Sequence, residues 1–309
     1  MKEVVERSAC GKVILCGEHA VVYGRPAIAL PLPSLRARAY VEPSESPLHI
    51  VAPDVGRVIA LETAPADEPL ARIVRLTLEH LGQATPRATI TIRSDIPIGA
   101  NLGSGAAVSI AIARALAAFL GRSLSAEEVS ALAFEVEKLY HGSPSGVDNT
   151  VIAYERPVWF VRGEPPTLLN AEAVRALPLV IADTGVYTPT RIPVGAVRAG
   201  WERDRARYEA VFDAIAEHVH RARAALVAQD WETLGAAMNA NHALLQVLGV
   251  SSPELDTLCE AARAAGALGA KMSGGGRGGN MIALAPSREA TSALAEALRR
   301  AGAKRVFYA

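Results

Sequence analysis

The chain has 309 residues, half of them hydrophobic, and its 32 basic and 32 acidic side chains cancel to a formal charge of zero. Affinity for nucleic acid or for an anionic membrane normally requires a basic face, so this balance argues against both classes of binder. The three scattered cysteines are too few for a disulfide framework or a zinc site. Because neither a signal-peptide pattern nor a membrane-spanning pattern is found, we expect a soluble cytoplasmic protein.

The first half of the chain predicts a mixture of strands and helices. Short β-prone runs separated by Pro, Gly and Ser indicate strands over 13–15, 36–41, 48–51, 58–61 and 88–93. Helical patterns cover 68–81, 104–119 and a segment from the capping box of Ser125 and Glu128 to about Tyr140. Residues 151–154 and 158–161 predict a hairpin. The stretch 163–167 has the least pattern, and we expect a domain boundary there.

The second half predicts alternating helices and strands. We expect a strand at 179–182, helices at 194–226 and 230–248, and a third helix beginning at Ser252-Pro253, an N-cap followed by proline. Strands at 270–273, 280–284 and 305–308 and a helix at 287–301 complete this half. The order is typical of a split βαβ unit. The predicted fold class is therefore α+β, with two domains at 1–165 and 166–309.

Three glycine-rich segments cover 11–24, 97–107 and 271–279, and two of only five lysines, Lys12 and Lys271, lie within them. Glycine is retained where the backbone approaches a partner closely or takes positive φ. The second segment precedes a helix beginning at Ser104, where N–H groups and the helix dipole can hold an anion. It matches neither a P-loop nor a Rossmann fingerprint, so a tight strand–helix turn is the alternative. Three such segments together with Asp148 favour a nucleotide-dependent phosphotransferase.

These segments resemble, in order, the three motifs of the GHMP kinases, the family of galactokinase, homoserine kinase, mevalonate kinase and phosphomevalonate kinase. They read Gly-Lys-Val-Ile-Leu-x-Gly-Glu-His-Ala-Val-Val-x-Gly, Pro-x-Gly-Ala-x-Leu-Gly-Ser-x-Ala-Ala and Lys-Met-Ser-Gly-Gly-Gly-x-Gly-Gly. Residues 18–24, 141–149, 239–245 and 248–251 are similar to the mevalonate kinase branch. The resemblance covers residues 10–284. It implies a ribosomal protein S5 domain 2-like N-terminal domain and a ferredoxin-like C-terminal domain.

The resemblance also implies roles for single residues. Asp148 matches the catalytic aspartate that accepts a hydroxyl proton, and Lys12 matches the lysine beside it, which favours the ionised carboxylate. A capping role is the alternative for Asp148. The nucleotide is expected at Pro97, Gly99, Ala100, Asn101, Leu102, Gly103, Ser104, Gly105, Ala106, Gly275 and Gly276. Arg277 is either a phosphate contact or an exposed loop residue. Domain 1–165 is expected to bind ATP and carry the catalytic groups, and 166–309 to complete the substrate cleft.

Magnesium is the implied cofactor and ATP the implied co-substrate. Glu137 precedes Asp148 at the interval where the family places a metal-ligating glutamate, and Glu135 is the competing candidate. Gly105 departs from the family, in which a second serine usually supplies a metal-ligating hydroxyl. Either Ser104 or a water replaces that ligand, or ATP and Glu137 hold more of the metal shell.

Glu18 and His19 fit recognition of mevalonate, because a histidine donor can bind its carboxylate and hydroxyls. Thr184 and Thr188 are further candidate contacts. The implied reaction is ATP-dependent phosphorylation of the mevalonate 5-hydroxyl, which gives 5-phosphomevalonate for isoprenoid biosynthesis. The expected partners are mevalonate and ATP, without nucleic acid or membrane, and a homodimer is left open.

Two kinds of alternative function compete with this interpretation. One is another family chemistry: phosphomevalonate kinase, a kinase of the mevalonate 3-hydroxyl, or diphosphomevalonate decarboxylase. A substrate that already carries phosphate needs additional cations, and only Arg25 lies near His19 in the sequence. The other is a non-catalytic ligand sensor that has lost metal binding at Gly105. The presence of Lys12, Glu137 and Asp148 argues against it.

Overall fold

The computed structural model describes residues 4–97, 99–141, 144–175 and 177–308, so Ile98, Gly142 and Ser143 of the predicted motifs lie outside the described residues. The chain forms two compact units, neither of them contiguous in sequence. Unit 1 comprises Met1–Lys12, Pro31–Pro97 and Gly103–Glu155, and unit 2 comprises Val13–Leu30, Ile98–Leu102 and Arg156–Ala309. The chain therefore changes unit several times, whereas the sequence pattern indicated one boundary at 163–167. The predicted division of function between 1–165 and 166–309 stays a prediction.

Unit 1 contains a mixed sheet with helices packed on it. Its strands are β1 (Val5–Cys16) and β2 (Ala27–Pro43), which both continue into unit 2, and β3 (His49–Ala52), β4 (Arg57–Ala60) and β5 (Ala88–Ser94). Strand β5 pairs antiparallel with β2 and parallel with β3, and β4 pairs antiparallel with β3. The helices are α1 (Pro69–Leu81), α2 (Ser104–Phe119), α3 (Ala126–His141) and α4 (Val147–Tyr154). Helix α2 packs against the other three and is buried over most of its surface, as its Ala- and Ile-rich sequence requires.

The ends of these helices follow from local chemistry. The Glu68 side chain accepts a hydrogen bond from Leu70 N–H at the start of α1, and Gly82 ends that helix in the left-handed conformation with φ 60°. The capping box predicted at α3 is confirmed: Ser125 N–H donates to the Glu128 carboxylate at 2.7 Å, and Glu128 N–H donates to Ser125 Oγ at 3.2 Å.

Unit 2 contains a four-stranded antiparallel sheet. Its four strands are β8 (Leu179–Asp183), β9 (Gly269–Ser273), β10 (Asn280–Leu284) and β11 (Arg305–Tyr308), whereas β6 (Val158–Phe160) pairs with β2 and β7 (Thr167–Leu168) pairs with β6. Its helices are α5 (Ala171–Arg175), α6 (Arg191–Arg203), α7 (Arg205–Ala228), α8 (Trp231–Val247), α9 (Pro253–Ala264) and α10 (Ala290–Arg300). The sheet order is β11-β8-β10-β9, with all neighbours antiparallel. The predicted split βαβ character is therefore confirmed.

Two predicted elements are wrong. Residues 151–154 are not the first strand of a hairpin, because they continue helix α4 and only Val158–Phe160 is extended. The long helix expected at 194–226 is two helices, which meet at Asp204. The Asp204 side chain accepts from Arg207 N–H at 3.3 Å and starts a new helix there. Over the part of the chain that the structure describes, no helix has the length and apolarity needed to cross a membrane.

Candidate functional site

Lys12 and Asp148 form an ion pair within unit 1. Lys12 Nζ lies 3.0 Å from Asp148 Oδ2, and the lysine side chain is 3% exposed while the aspartate is 28% exposed. Strand β1 carries the lysine, and the first turn of α4 carries the aspartate, where the helix dipole also stabilises a carboxylate. Asp148 does not cap α4, because the N-cap residue is Gly146. The pair joins an enclosed positive charge to an accessible carboxylate, which can accept a proton from a hydroxyl group placed beside it.

Helix α2 begins without a side-chain cap. Its N-cap is Gly103, with φ 75°, and Ser104 occupies the first helical position. The first intrahelical hydrogen bond joins Ala107 N–H to the Gly103 carbonyl at 2.9 Å. The N–H groups of residues 104–106 therefore have no partner inside the helix. Such a set of N–H groups at the positive end of a helix dipole is suited to bind phosphate.

Glycine at position 103 brings the helix start against the lysine. A Cβ atom at Gly103 would lie 2.6 Å from Ile152 Cδ1 and 3.0 Å from Lys12 Cγ, so any side chain would displace them. Along the same segment, φ is positive at Gly99 (77°), Asn101 (58°) and Gly103 (75°). Alternation of this kind turns successive N–H groups toward one concave side, which is a common anion-binding geometry. The backbone of this segment therefore suits a phosphate, and its predicted contact with nucleotide stays a prediction.

The two candidate metal-ligating glutamates differ in their surroundings. Glu135 is partly exposed and pairs with Lys138 at 2.6 Å, whereas Glu137 is buried. Among the residues that the structure describes, no group of three His, Cys, Asp or Glu side chains could hold a metal by itself. Mg²⁺ usually takes only one or two protein carboxylates and completes its shell with phosphate oxygens and water. One buried glutamate and the Ser104 hydroxyl fit that donor set.

A second ion pair lies within unit 2, between Glu18 and Lys271. Both side chains are 0% exposed, and Lys271 Nζ donates to Glu18 Oε1 and, at 2.6 Å, to the Met272 carbonyl. Next to the glutamate, Gly17 N–H donates to Asn241 Oδ1 at 3.1 Å. The Glu18 carboxylate therefore has its cation inside the fold, and substrate cannot reach it in this structure. Its predicted role in substrate recognition stays a prediction.

His19 is held by the third glycine segment. Its Nε2 lies 3.0 Å from the Gly275 carbonyl, and because a carbonyl only accepts, Nε2 carries the proton. Burial lowers the pKa of His19 to about 4, so the ring is neutral at pH 7. Its Nδ1 is then an acceptor. The ring can take a hydrogen bond from a substrate hydroxyl, whereas the donor role expected toward a carboxylate would require the charged ring.

Thr184 and Thr188 use their hydroxyl protons inside unit 2. Thr184 Oγ1 donates to the Gly279 carbonyl at 2.9 Å, and Thr188 Oγ1 donates to the Arg277 carbonyl at 2.6 Å. The Arg277 side chain is partly exposed and donates from Nε to the Gly249 carbonyl at 3.3 Å. These contacts hold the third glycine segment in place. The expected contacts of both threonines with substrate, and of Gly275 and Gly276 with nucleotide, stay predictions.

Helix α8 covers the free edge of strand β9. Asn239 Oδ1 accepts from Ala270 N–H at 2.9 Å, and His242 Nδ1 accepts from Met272 N–H at 3.3 Å. These are the alternate N–H groups that β9 turns away from β10. The sequence singled out this segment without a role for it. Its polar residues satisfy an edge strand and thereby fix Lys271, which lies between the two bonded residues.

Two family models match the chain. The model described as GHMP kinases N terminal domain matches residues 69–156, and the model described as GHMP kinases C terminal matches residues 222–304. The mevalonate kinase of Pyrococcus furiosus is 37% identical over 318 residues, which cover 96% of this chain and 92% of that protein. The mevalonate kinase of Aeropyrum pernix is 36% identical over 304 residues, covering 92% and 89%.

Solved structures give the same picture. The L. major mevalonate kinase in complex with R-mevalonate has a TM-score of 0.80 at 30% identity, over 98% of this chain and 94% of that one. The Streptococcus pneumoniae phosphomevalonate kinase in complex with phosphomevalonate and AMPPNP has a TM-score of 0.82 at 19% identity, over 99% and 100%. At that identity the second likeness concerns the fold alone.

Proposed function

The chain belongs to the GHMP kinase family and, within it, to the mevalonate kinases, and from this premise we propose that it transfers the γ-phosphoryl group of ATP to the 5-hydroxyl of mevalonate, giving 5-phosphomevalonate. The observation that carries the proposal is the Lys12–Asp148 pair. Its atoms lie 3.0 Å apart, its carboxylate is accessible, and the lysine stem packs against Gly103 at the start of α2. Phosphoryl transfer to an alcohol needs this combination of an acceptor for the hydroxyl proton and a fixed positive charge.

In the proposed reaction, the mevalonate 5-oxygen forms a bond to the γ-phosphorus as the bond from that phosphorus to ADP breaks. Asp148 accepts the hydroxyl proton, and the Lys12 ammonium beside it supplies a fixed positive charge. The N–H groups of residues 104–106 bind phosphate oxygens and contribute the positive end of the α2 dipole. Catalysis therefore rests mainly on positioning and electrostatics.

We assign Mg²⁺ to Glu137 and to the Ser104 hydroxyl. When bound, the ion neutralises charge on the phosphate groups. The burial of Glu137, whose carboxylate is shielded from water while that of Glu135 is partly exposed, supports this choice. Gly105 supplies only its N–H group, so the shell relies on ATP oxygens and water for the remaining ligands.

We assign the acceptor substrate to His19, whose neutral ring takes a hydrogen bond from a mevalonate hydroxyl. Glu18 contributes through its buried pair with Lys271, which fixes the turn that carries His19. Thr184 and Thr188 remain candidate contacts through their hydroxyl oxygens.

We propose a cytoplasmic location because the three buried cysteines are free thiols, which suit a reducing compartment. The homodimer stays a prediction.

The surroundings of Arg25 argue against the alternative activity, phosphomevalonate kinase. A substrate that already carries phosphate needs an uncommitted cation, and the sequence offered Arg25 near His19. The Arg25 guanidinium donates to Glu209 at 2.5 Å and to Asp213 at 2.8 Å and 2.9 Å. Two carboxylates thus neutralise it. This favours the unphosphorylated acceptor.

Release of ADP, measured with a coupled assay over mevalonate, 5-phosphomevalonate, homoserine and galactose, tests the proposal. We expect turnover with mevalonate and little with the others. Phosphorus NMR of the product should show a phosphate coupled to the methylene protons of carbon 5. Faster turnover of 5-phosphomevalonate, or phosphate on the 3-oxygen, would contradict the proposed acceptor.

A further inference from the structure

Three consecutive residues of the second glycine segment are each held by a different group of unit 2. The Tyr187 ring lies on Gly99, where a Cβ atom would approach Tyr187 Cδ2 to 2.5 Å. The Ala100 carbonyl accepts a hydrogen bond from Asn280 Nδ2. The Asn101 side chain accepts one from Thr190 Oγ1 at 3.1 Å. Backbone, side chain and ring contacts therefore converge on the part of the chain where positive φ alternates.

Asn280 makes the most demanding of these contacts. The residue is 0% exposed at the start of β10, and because a carbonyl only accepts, its amide nitrogen must face Ala100. Its Oδ1 is buried without a hydrogen-bond partner in the described part of the chain. A buried acceptor without a partner lowers stability, so the fold keeps an asparagine here at a cost. The Nδ2–carbonyl contact explains why an amide occupies this position.

Asn101 contacts the third glycine segment, and this contact does not involve Asn280. It has φ 58°, a conformation that asparagine tolerates better than most residues. A Cβ atom at Gly274 would lie 2.9 Å from Asn101 Cβ, and one at Gly279 would lie 2.7 Å from Asn101 Nδ2. Two glycines of the third segment are thus required so that this side chain can dock. The third segment is shaped to fit the second.

We propose that Asn280 is a positioning residue for nucleotide binding, which fixes the Ala100 carbonyl and thereby holds residues 99–103 with their N–H groups turned toward a phosphate. Thr190 assists by holding Asn101. The peptide group after Ala100 is the one whose rotation would turn the Asn101 N–H away from the concave side. The inference rests on the proposed function, since it takes this segment as the site of the ATP phosphates.

Calorimetric titration with the β,γ-imido analogue of ATP and Mg²⁺ tests the role of Asn280. We expect Asn280→Ala to raise the Kd about three- to tenfold, the effect of losing one net hydrogen bond. Asn280→Asp, which keeps the shape but sets a carboxylate oxygen against the Ala100 carbonyl, should raise the Kd more than alanine does. In steady-state assays the KM for ATP should rise while the KM for mevalonate changes little.

Asn239→Ala is the matched control, because the Asn239 side chain hydrogen-bonds Leu268 and Ala270, which belong to the same unit but lie outside residues 97–107 and 271–279. It should lower Tm and leave the Kd unchanged. Thr190→Val changes a partly exposed site and removes the hydrogen bond to Asn101. It tests whether the contacts with this segment control nucleotide binding if the Asn280 variants do not fold. Unchanged nucleotide Kd in the folded Asn280 variants and in Thr190→Val, or an equal rise in Asn239→Ala, would overturn the inference. A wild-type chain that binds no nucleotide would overturn the proposed function as well.

Discussion

Two lysine–carboxylate pairs, one in each unit, differ in what surrounds them. In unit 1, Lys12 is enclosed but Asp148 is 28% exposed, and their atoms are 3.0 Å apart. In unit 2, Glu18 and Lys271 are both 0% exposed, and the lysine also bonds to the Met272 carbonyl. Both lysines come from glycine-rich segments, and lysine is scarce in this chain. Sequence alone gives them similar weight.

The difference in exposure assigns the pairs to different tasks. A carboxylate that reaches the surface beside a fixed ammonium can exchange a proton with a substrate hydroxyl. A pair without any exposed surface has no access to substrate, and removing one partner leaves an uncompensated buried charge. We therefore expect the first pair to control turnover and the second to control folding.

The largest effect is expected for Asp148→Asn. The amide cannot accept the hydroxyl proton, so kcat should fall about 10²–10⁴-fold, while ATP still binds. Stopped-flow or coupled ADP assays at saturating substrates measure the loss. Because Asp148 is partly exposed and the amide oxygen can still accept a hydrogen bond from Lys12, the mutant should lose less stability in urea than a variant that breaks the fully buried Glu18–Lys271 pair. A kcat close to wild type would remove Asp148 from the catalytic role.

Lys271→Met is expected to act on stability instead. Loss of the ammonium leaves the Glu18 carboxylate buried without its cation, which should lower the free energy of unfolding by about 3–5 kcal/mol. The double variant Glu18→Gln with Lys271→Met should recover part of this loss, because the two changes remove one interaction. Urea unfolding followed by circular dichroism gives both values. Additive effects would show that the pair is not energetically coupled.

Gly103→Ala tests how closely the helix start and Lys12 must approach. The new Cβ would lie 2.6 Å from Ile152 Cδ1, and a shift of about 1 Å at a catalytic group can cost about 10²-fold in rate. Gly121→Ala is the matched control, with φ 72° and no atom within 4 Å of the added Cβ. Both variants share the backbone strain, and only Gly103→Ala should lose kcat/KM. Equal activity in the two would separate Gly103 from the site.

The smallest effect concerns pH. Burial, with help from the Lys271 charge and against the pull of Asp256, lowers the pKa of His242 from 6.5 to about 4. Between those values the unfolded chain binds more protons than the folded chain, so stability falls as pH drops from 6.5 toward 4, by up to about 1.4 kcal/mol per pH unit for one group. His242→Gln should flatten the decline in Tm between pH 7 and pH 5. An unchanged slope would mean that other groups cause it.

Much of the fold follows from local sequence signals. The predicted helix at 104–119 and strands at 280–284 and 305–308 have the observed bounds. The prediction of a strand at 151–154 was wrong because β-branched side chains favour strands locally, whereas these residues continue the helix that begins after Gly146. Strand β2 is 17 residues long, although the pattern indicated only 36–41, since proline at 31 and 33 masked its first half.

The candidate site was predictable only in part. The motifs identified Lys12, Asp148 and the second glycine segment, because phosphate chemistry demands those residue types. They did not distinguish an accessible pair from an enclosed one, since burial depends on contacts distant in sequence: Lys271 and Glu18 are 253 residues apart. Asn280 falls at the start of a predicted strand, but its partner Ala100 lies 180 residues away. No local pattern encodes such pairings.

The most direct test of the separation compares Glu18→Gln with Asp148→Asn in one experiment, with kcat and urea unfolding measured on the same preparations. We expect Asp148→Asn to lose kcat about 10²–10⁴-fold and to lose less stability than Glu18→Gln, because Asp148 is partly exposed. We expect Glu18→Gln to lose about 3–5 kcal/mol of stability, while its folded fraction retains most of its kcat. A Glu18→Gln enzyme that is as stable as wild type but has lost turnover would contradict the account, because it would place Glu18 among the catalytic groups.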